Sequence, residues 1–399
     1  MIFEDRGLVP RDYQQKAVDA AIKFYSEKSK YHGLEVLPTG SGKSIIIANI
    51  AKELNAPLLI FQPTKEILEQ NLSKYLSYGY YAAAYSASVG QKKLSYVTFA
   101  TIGSVIRKPQ VLEDFKHIIV DECHLVNPKK GMYRDLFRIL GADIKIVGLT
   151  ATPYRLTTDG WGGSILKFLT RTRPKVFGKI LYYVQNEDLF QQGYLSKIKY
   201  IRKPDFDTSQ LSPNSTGADY SDHSVARYYN RINFQDRIVN TVNALKETRR
   251  GALVFTRFTK EAQYVAERVP GAAVVTAKTP KKDRERILHN FKGGLVPAVC
   301  NVGVVSIGFD YPELDTVVLA KPTMSLALYY QMIGRGIRPH PTKEHALVVD
   351  MCDNMSKFGP IETLRIKDGG NGKWFISNKG RQLTNVYYGN KPERWRSKR

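Results

Sequence analysis

The stretch Leu34-Glu35-Val36-Leu37-Pro38-Thr39-Gly40-Ser41-Gly42-Lys43-Ser44-Ile45-Ile46-Ile47-Ala48 decides the fold. An apolar run meets a glycine-bearing turn, and the turn opens directly into an apolar helical segment. A phosphate-binding loop requires that order. Its glycines let backbone N–H groups crowd around an anion without Cβ clashes, and the helix N-terminus adds the positive end of its dipole. On this reading Thr39, Gly40, Ser41, Gly42 and Lys43 surround the phosphates of ATP. Lys43 reaches the β- and γ-phosphates, and the Ser44 hydroxyl ligates Mg²⁺. Leu37 stands where the general pattern has glycine. A glycine-rich turn in an ordinary α/β protein would look similar over so short a stretch, so the rest of the chain must decide.

At 399 residues the chain fits two domains of ordinary size. Its apolar share of 43% and charged share of 24% belong to soluble globular proteins. No apolar run approaches the roughly 18 residues of a membrane span. Met1-Ile2-Phe3-Glu4-Asp5-Arg6 lacks the pattern of a secretory signal. Cys123, Cys300 and Cys352 lie far apart, which argues against a disulfide framework or thiolate zinc site and suits a reducing cytoplasm. Lys and Arg number 60 against 37 Asp and Glu, a net +23 that calls for a polyanionic partner. Nucleic acid is favoured over membrane, because the sequence offers no basic amphipathic helix or lipidation signal. No feature calls for an obligate oligomer, and a monomer is expected.

Spacing at i, i+3/i+4 predicts helices from Ala17 to Tyr25, Ser44 to Leu54 and Thr64 to Leu76. Short apolar runs predict strands at Pro57–Phe61, Tyr96–Ala100, His117–Val120 and Ile144–Leu149. A second alternating run has strands at Ala252–Phe255, Ala273–Thr276, Ala298–Asn301, Thr316–Leu319 and His345–Asp350, with helices at Thr259–Val269 and Pro280–Phe291. Between the runs, Ile180–Val184 and Ile198–Ile201 read as strands flanking a short helix near Asp188–Gln192. Gly160-Trp161-Gly162-Gly163 and Asp205–Ser215 read as loops. The expected architecture is α/β, with mostly parallel sheets covered on both faces and used twice. From Lys357 the apolar periodicity fades towards a basic end, Lys391 to Arg399, which reads as a solvated terminus.

Asp121-Glu122-Cys123-His124 follows a strand directly, at the rim where open α/β sheets bind ligands. One carboxylate can hold Mg²⁺ and the next can take a proton from attacking water. Behind a phosphate loop on a neighbouring strand, the pair reads as the second half of a nucleotide-hydrolysing site. Thr150 and Thr152, again after a strand, could bridge that pair to the second domain or simply form a turn. Arg335 and Arg338 lie one helical turn apart and offer permanently charged forks for phosphate oxygens. Ser306-Ile307-Gly308-Phe309-Asp310 offers a turn for the ribose.

In this order the segments resemble the motif set of superfamily-two helicases and translocases over roughly residues 8 to 355. The resemblance implies two RecA-like domains, 1–178 and 179–356, with ATP in the cleft between them and a basic extension over 357–399. It implies an adenine-reading pair in Arg11 and Gln14, and completion of the site by Gln331, Arg335 and Arg338. Nucleotide contacts are implied for Gly308 and Asp310, and coupling of hydrolysis to movement for His124, Thr150 and Thr152. Strand contacts are implied for Thr64, Lys65, Thr101, Arg257, Thr276 and Asn301, with Cys123 a small buried filler.

The DECH box, Thr150-Ala151-Thr152-Pro153 and Gln331 resemble DNA-acting members more than RNA-acting DEAD-box proteins. Local wording is most similar to bacterial RadD-like repair helicases. Those carry a cysteine-rich C-terminal part that this sequence lacks, so a minimal, phage-encoded member or a truncation is expected. The expected function is ATP-dependent movement on single-stranded or branched DNA in repair, recombination or replication, in the cytoplasm with the nucleoid and alongside other repair or replication proteins. RNA helicase activity, or a motor subunit of a restriction or nuclease complex, is the alternative.

Overall fold

The computed structural model describes residues 9–158, 164–203, 205–303 and 311–388. The Ser306–Asp310 turn, with Gly308 and Asp310, lies outside them, as do the glycine-rich loop at Trp161 and the basic end from Lys391. The chain forms two compact units. One comprises 1–155, 167–185 and 366–376; the other comprises 156–166, 186–365 and 377–399.

In the first unit the elements run α1 (Asp12–Ser26), β1 (His32–Val36), α2 (Lys43–Glu53), β2 (Leu58–Phe61), α3 (Lys65–Ser77), β3 (Ala83–Ser86), β4 (Gln91–Lys92) and β5 (Val97–Ala100). They continue with a short α4 (Ile102–Val105), β6 (His117–Asp121), α5 (Met132–Leu140) and β7 (Lys145–Thr150). Strands β8 (Tyr154–Thr158) and β9 (Ser164–Phe168), neighbours in a small separate sheet, fall mostly in the second unit, and β10 (Phe177–Tyr183) belongs to the first.

One eight-stranded sheet has the order β10-β1-β7-β6-β2-β5-β3-β4, parallel throughout except for the β3/β4 pair. Its strands read as unbroken apolar runs because they are covered on both faces: Leu58 to Phe61 and Ile118 to Val120 are all fully buried. Each such side chain contributes about 1.5–3 kcal/mol by leaving water. Phe24 on α1, with Ile46 and Ile50 on α2, supplies further buried apolar surface.

The sequence reading placed the acidic pair on a strand neighbouring the phosphate loop. The sheet order corrects this, because β7 lies between β1 and β6. The inserted strand brings Thr150 opposite Val36, while Leu149 stands opposite Asp121. At a strand spacing of about 4.8 Å, only long side chains bridge the loop and the acidic pair.

The second unit contains α6 (Asn186–Gln191), β11 (Ile198–Arg202), α7 (Asp222–Arg231), α8 (Phe234–Lys246), β12 (Ala252–Thr256), α9 (Thr259–Arg268), β13 (Ala273–Thr276) and α10 (Lys281–Lys292). It goes on through β14 (Ala298–Val302), β15 (Thr316–Ala320), α11 (Leu326–Ile333), β16 (Ala346–Asp350) and α12 (Asn354–Phe358). Its six-stranded sheet, β11-β16-β15-β12-β14-β13, is parallel throughout. Val254, Cys300, Val318 and Val349 form its core with Tyr229 and Phe234.

Helices α7 and α8 were not predicted. The apolar face of α7 is short and largely aromatic, with Val225, Tyr228 and Tyr229 buried within an otherwise polar segment, whereas α8 buries Phe234, Ile238, Val239, Val242 and Leu245. The described residues beyond Lys357 also form strands: β17 (Leu364–Asp368), β18 (Trp374–Asn378), β19 (Arg381–Gln382) and β20 (Tyr387–Tyr388). In β17, Leu364 and Ile366 are buried between exposed neighbours, an alternation too brief to register as a pattern.

Candidate nucleotide-hydrolysing site

The carboxyl edge of the first unit's sheet gathers the phosphate loop, the acidic pair and the two threonines. Gly40 and Gly42 have φ of +83° and +80°, backbone that L side chains rarely adopt. A Cβ on Gly42 would also stand 2.5 Å from the Gln14 amide nitrogen. Gln14 is 2% exposed. It donates to the Ser41 carbonyl at 2.8 Å and accepts from the Arg11 backbone N–H at 2.8 Å. The Tyr13 hydroxyl donates to the same Ser41 carbonyl at 2.7 Å. The start of α1 is thus fastened to the phosphate loop through the residues read as an adenine contact. Tyr13 was not singled out in the sequence; its only signal was adjacency to Gln14.

Lys43 opens α2 and its Nζ donates to Glu122 Oε1 at 2.8 Å. Glu122 has φ +48°, a left-handed backbone that turns the chain out of β6, and its N–H donates to Asp121 Oδ1 at 2.9 Å. Its other carboxylate oxygen lies 3.2 Å from His124 Nδ1 and accepts from Thr150 Oγ1 at 3.5 Å. His124 Nδ1 also lies 2.9 Å from Thr150 Oγ1 and 3.1 Å from Thr152 Oγ1. Thr150 Oγ1 accepts from the Thr152 N–H at 3.0 Å, and Arg155 donates to the His124 carbonyl at 2.6 Å. Cys123 is fully buried against Gly148, where a Cβ would meet its Sγ at 2.7 Å. The predicted filler therefore depends on a glycine in β7.

The two carboxylates are tuned apart. Burial raises the Asp121 carboxyl to about 6, with the Glu122 charge adding and Lys43 opposing. Burial also works against a charged Glu122, but the Lys43 charge and the His124 contacts prevail. They hold it well below the ordinary carboxylate range. At neutral pH Glu122 is therefore a charged acceptor in contact with a lysine and a histidine, able to accept a hydrogen bond from water and orient it.

The Ser44 hydroxyl and the Asp121 carboxylate are the oxygen groups at this edge that could serve Mg²⁺ as donors. Ser44 Oγ donates to Asn71 Oδ1 at 2.7 Å, and Asn71 in turn donates to Gln62 at 3.1 Å. No group of three or more His, Cys, Asp or Glu among the described residues is placed to hold a metal. Two oxygen donors suit an ion that keeps several waters and takes the rest of its shell from phosphates.

Elsewhere on this edge, Thr64 caps α3 by accepting from the Ile67 N–H at 3.4 Å, and Lys65 pairs with Glu69 at 3.4 Å. Thr101 follows β5 and shares hydroxyl contacts with Ser86 at 3.0 Å and Ser104 at 2.9 Å.

In the second unit, Arg257, Thr276 and Asn301 lie at the carboxyl ends of β12, β13 and β14. The Arg257 side chain is only 8% exposed and bonds to Asp222 at 2.8 Å, Asp219 at 3.4 Å and the Tyr220 carbonyl at 2.5 Å. Thr276 Oγ1 accepts from the Lys278 N–H at 3.2 Å, and the Asn301 carbonyl accepts from Thr256 at 3.4 Å. Gln331 lies in α11, which Ser325 caps, and Arg335 and Arg338 follow its end. Burial lowers the Arg338 guanidinium from its ordinary value.

Residues 7–155 match the family described as type III restriction enzyme, res subunit, and residues 233–340 match the helicase conserved C-terminal domain. A 51.5 kDa protein of a Lactococcus phage (isolate 7-9) is 27% identical, over 82% of this chain and 67% of its own length. A protein named putative ATP-dependent helicase IRC3, from Saccharomyces cerevisiae, is 26% identical over 86% of this chain and 51% of its own. Among solved structures, a fragment of a putative HsdR subunit of a type I restriction enzyme from Vibrio vulnificus YJ016 matches with a TM-score of 0.64. It is 19% identical and covers 88% of this chain and 66% of that one. This likeness establishes the fold as two RecA-like domains. The chain spans about half to two thirds of the length of these proteins.

Proposed function

We propose that this chain, a superfamily-two helicase, hydrolyses ATP to move along DNA as a helicase or translocase. One observation carries the reading: Lys43, Glu122, His124, Thr150 and Thr152 form a single polar chain at the carboxyl edge of the first sheet. Lys43 and the loop N–H groups bind the phosphates, and Glu122 takes the proton from the attacking water. Ser44 and Asp121 would hold Mg²⁺, which would supply neutralisation of phosphate charge. His124 touches Glu122 and both threonines, so a change in the carboxylate's partner reaches the segment that leaves the unit at Arg155. Arg335 and Arg338 stabilise charge on the transferring phosphoryl group.

DNA is the favoured track because the first matched family is a restriction subunit and the net charge is +23. Strand contacts fall on backbone phosphates and are sequence-independent. A repair, recombination or replication role on single-stranded or branched DNA, as for RadD-like helicases, is the finer form of this reading. The restriction-subunit match also favours a second reading, in which the chain drives a restriction or nuclease assembly. Among the described residues no helix is long and apolar enough to cross a membrane.

The test is steady-state ATP hydrolysis alone and with single-stranded, duplex or forked DNA or RNA, with Lys43→Ala as control. Stimulation by DNA supports the reading, and stimulation by RNA alone overturns the choice of track. A second polypeptide that co-purifies and is needed for hydrolysis would favour the assembly.

A further inference from the structure

Lys343 lies in the loop between α11 and β16 and is only 9% exposed. Its ammonium donates to three backbone carbonyls: Pro312 at 2.8 Å, Leu314 at 3.0 Å and Gly336 at 2.8 Å. Three donors meet three acceptors, which is how an ammonium can be buried without a carboxylate partner. Gly336 stands between Arg335 and Arg338. The next two carbonyls are also taken, Ile337 by the Ser196 N–H at 2.8 Å and Arg338 by the Ser196 hydroxyl at 3.0 Å. A Cβ on Gly336 would lie 3.1 Å from Val317, so the backbone here packs closely on β15. Every carbonyl from Gly336 to Arg338 is thus anchored, although neither Lys343 nor Ser196 belongs to a motif read from the sequence.

We propose that Lys343 is a positioning residue for ATP turnover: its ammonium ties the backbone between Arg335 and Arg338 to the Pro312–Leu314 segment and so sets where the two guanidinium groups project. The proposal rests on the assignment of Arg335 and Arg338 to the transferring phosphoryl group. The three carbonyls come from two separate segments, so the ammonium cross-links them.

The surroundings give the cage a pH signature. Burial lowers the Lys343 amine to about 8, with the Arg338 charge adding and Asp315 opposing. Asp315 pairs with Arg249 at 3.7 Å, and Glu313 faces Arg250 at 3.7 Å and His340 at 3.5 Å. The Lys292 amine is also lowered, by burial and by Arg338. Because the folded value of Lys343 lies below the unfolded one, its deprotonation above about pH 8 does not cost global stability. It removes one donor from the cage. Turnover that falls at alkaline pH while stability holds marks a positioning role.

The experiment compares the full chain with Lys343→Met and Lys343→Arg. It measures DNA-stimulated hydrolysis from neutral pH to about pH 9, KM for ATP, and amide hydrogen exchange. Lys343→Met is expected to lower kcat about tenfold while KM changes less than about threefold, and to lose the alkaline limb near pH 8. Lys343→Arg, which keeps a permanent charge and a donor fork, should retain more of kcat than Lys343→Met. The Leu314 and Gly336 amides should exchange faster in Lys343→Met, with β12 unchanged. Wild-type kcat and pH profile in Lys343→Met, or unchanged exchange at Leu314 and Gly336, would overturn the proposal. If the wild-type chain hydrolyses no ATP, the functional reading fails, and the exchange result alone decides the role of Lys343.

Discussion

The candidate residues of the two units are held in different ways. In the first unit they bond to one another: Lys43 to Glu122, Glu122 to His124, and His124 to both threonines. In the second unit the charged candidates are tied to the surrounding scaffold. Arg257 is clasped by Asp219 and Asp222, and the Arg335–Arg338 backbone is anchored through Lys343 and Ser196. Under the proposed function the contrast separates two tasks. Chemistry on bound water needs groups that tune each other, whereas contact with a phosphate that comes and goes needs a guanidinium presented at a fixed place.

Arg338→Ala offers the sharpest break in that division. It is expected to lower ATP hydrolysis about 10³-fold while ATP binding remains, since a guanidinium on the transferring group acts on the transition state. Lost binding in a folded variant would place Arg338 in ground-state recognition. Glu122→Gln follows, with turnover down about 10²-fold and ATP and DNA binding intact, as removal of a general base predicts. A near-normal rate would remove Glu122 from that role.

The next three changes are smaller. Gly42→Ala forces a left-handed backbone on alanine and drives a Cβ towards Gln14, so thermal unfolding should show a loss of about 1–2 kcal/mol. Glu35 on β1 is fully buried, and among the described residues neither carboxylate oxygen has a hydrogen-bond partner. Burial raises its carboxyl well above the ordinary value, so the folded state holds a proton that the unfolded chain releases. Stability should therefore fall as pH rises from the ordinary carboxylate range towards that raised value, and Glu35→Gln should flatten the curve. An unchanged slope in denaturation across that range would contradict this. Smallest is Asp222→Asn, which frees one arm of the Arg257 clasp. It should tighten single-stranded DNA binding about threefold, in line with an ion pair whose carboxylate side is open to water and which is worth under about 1 kcal/mol.

Much of this was legible in the sequence because the decisive signals are local. A glycine turn between Val36 and Ile45, or an acidic pair after Val120, is a few consecutive residues whose chemistry does not depend on distant neighbours. The parallel strands were legible as apolar runs for the same reason. What escaped notice depends on partners far away in the chain. The insertion of β7 between β1 and β6 is a matter of sheet order, which no local pattern encodes. Asn71 reaches Ser44 from α3, and Lys343 reaches Pro312 across 31 positions. Helix α7 hides its burial in two tyrosines among polar residues. The clasp on Arg257 similarly depends on Asp219 and Asp222, which precede α7 or open it and carry no motif.

The most direct measurement follows movement itself: displacement of streptavidin from a biotinylated end of single-stranded DNA. Reactions contain ATP, with the Glu122→Gln variant alongside. An ATP-driven motor predicts displacement from one end of the strand, lost in Glu122→Gln although that variant still binds DNA. DNA-stimulated hydrolysis without displacement from either end would contradict it, because ATP would then be spent without a step along the strand.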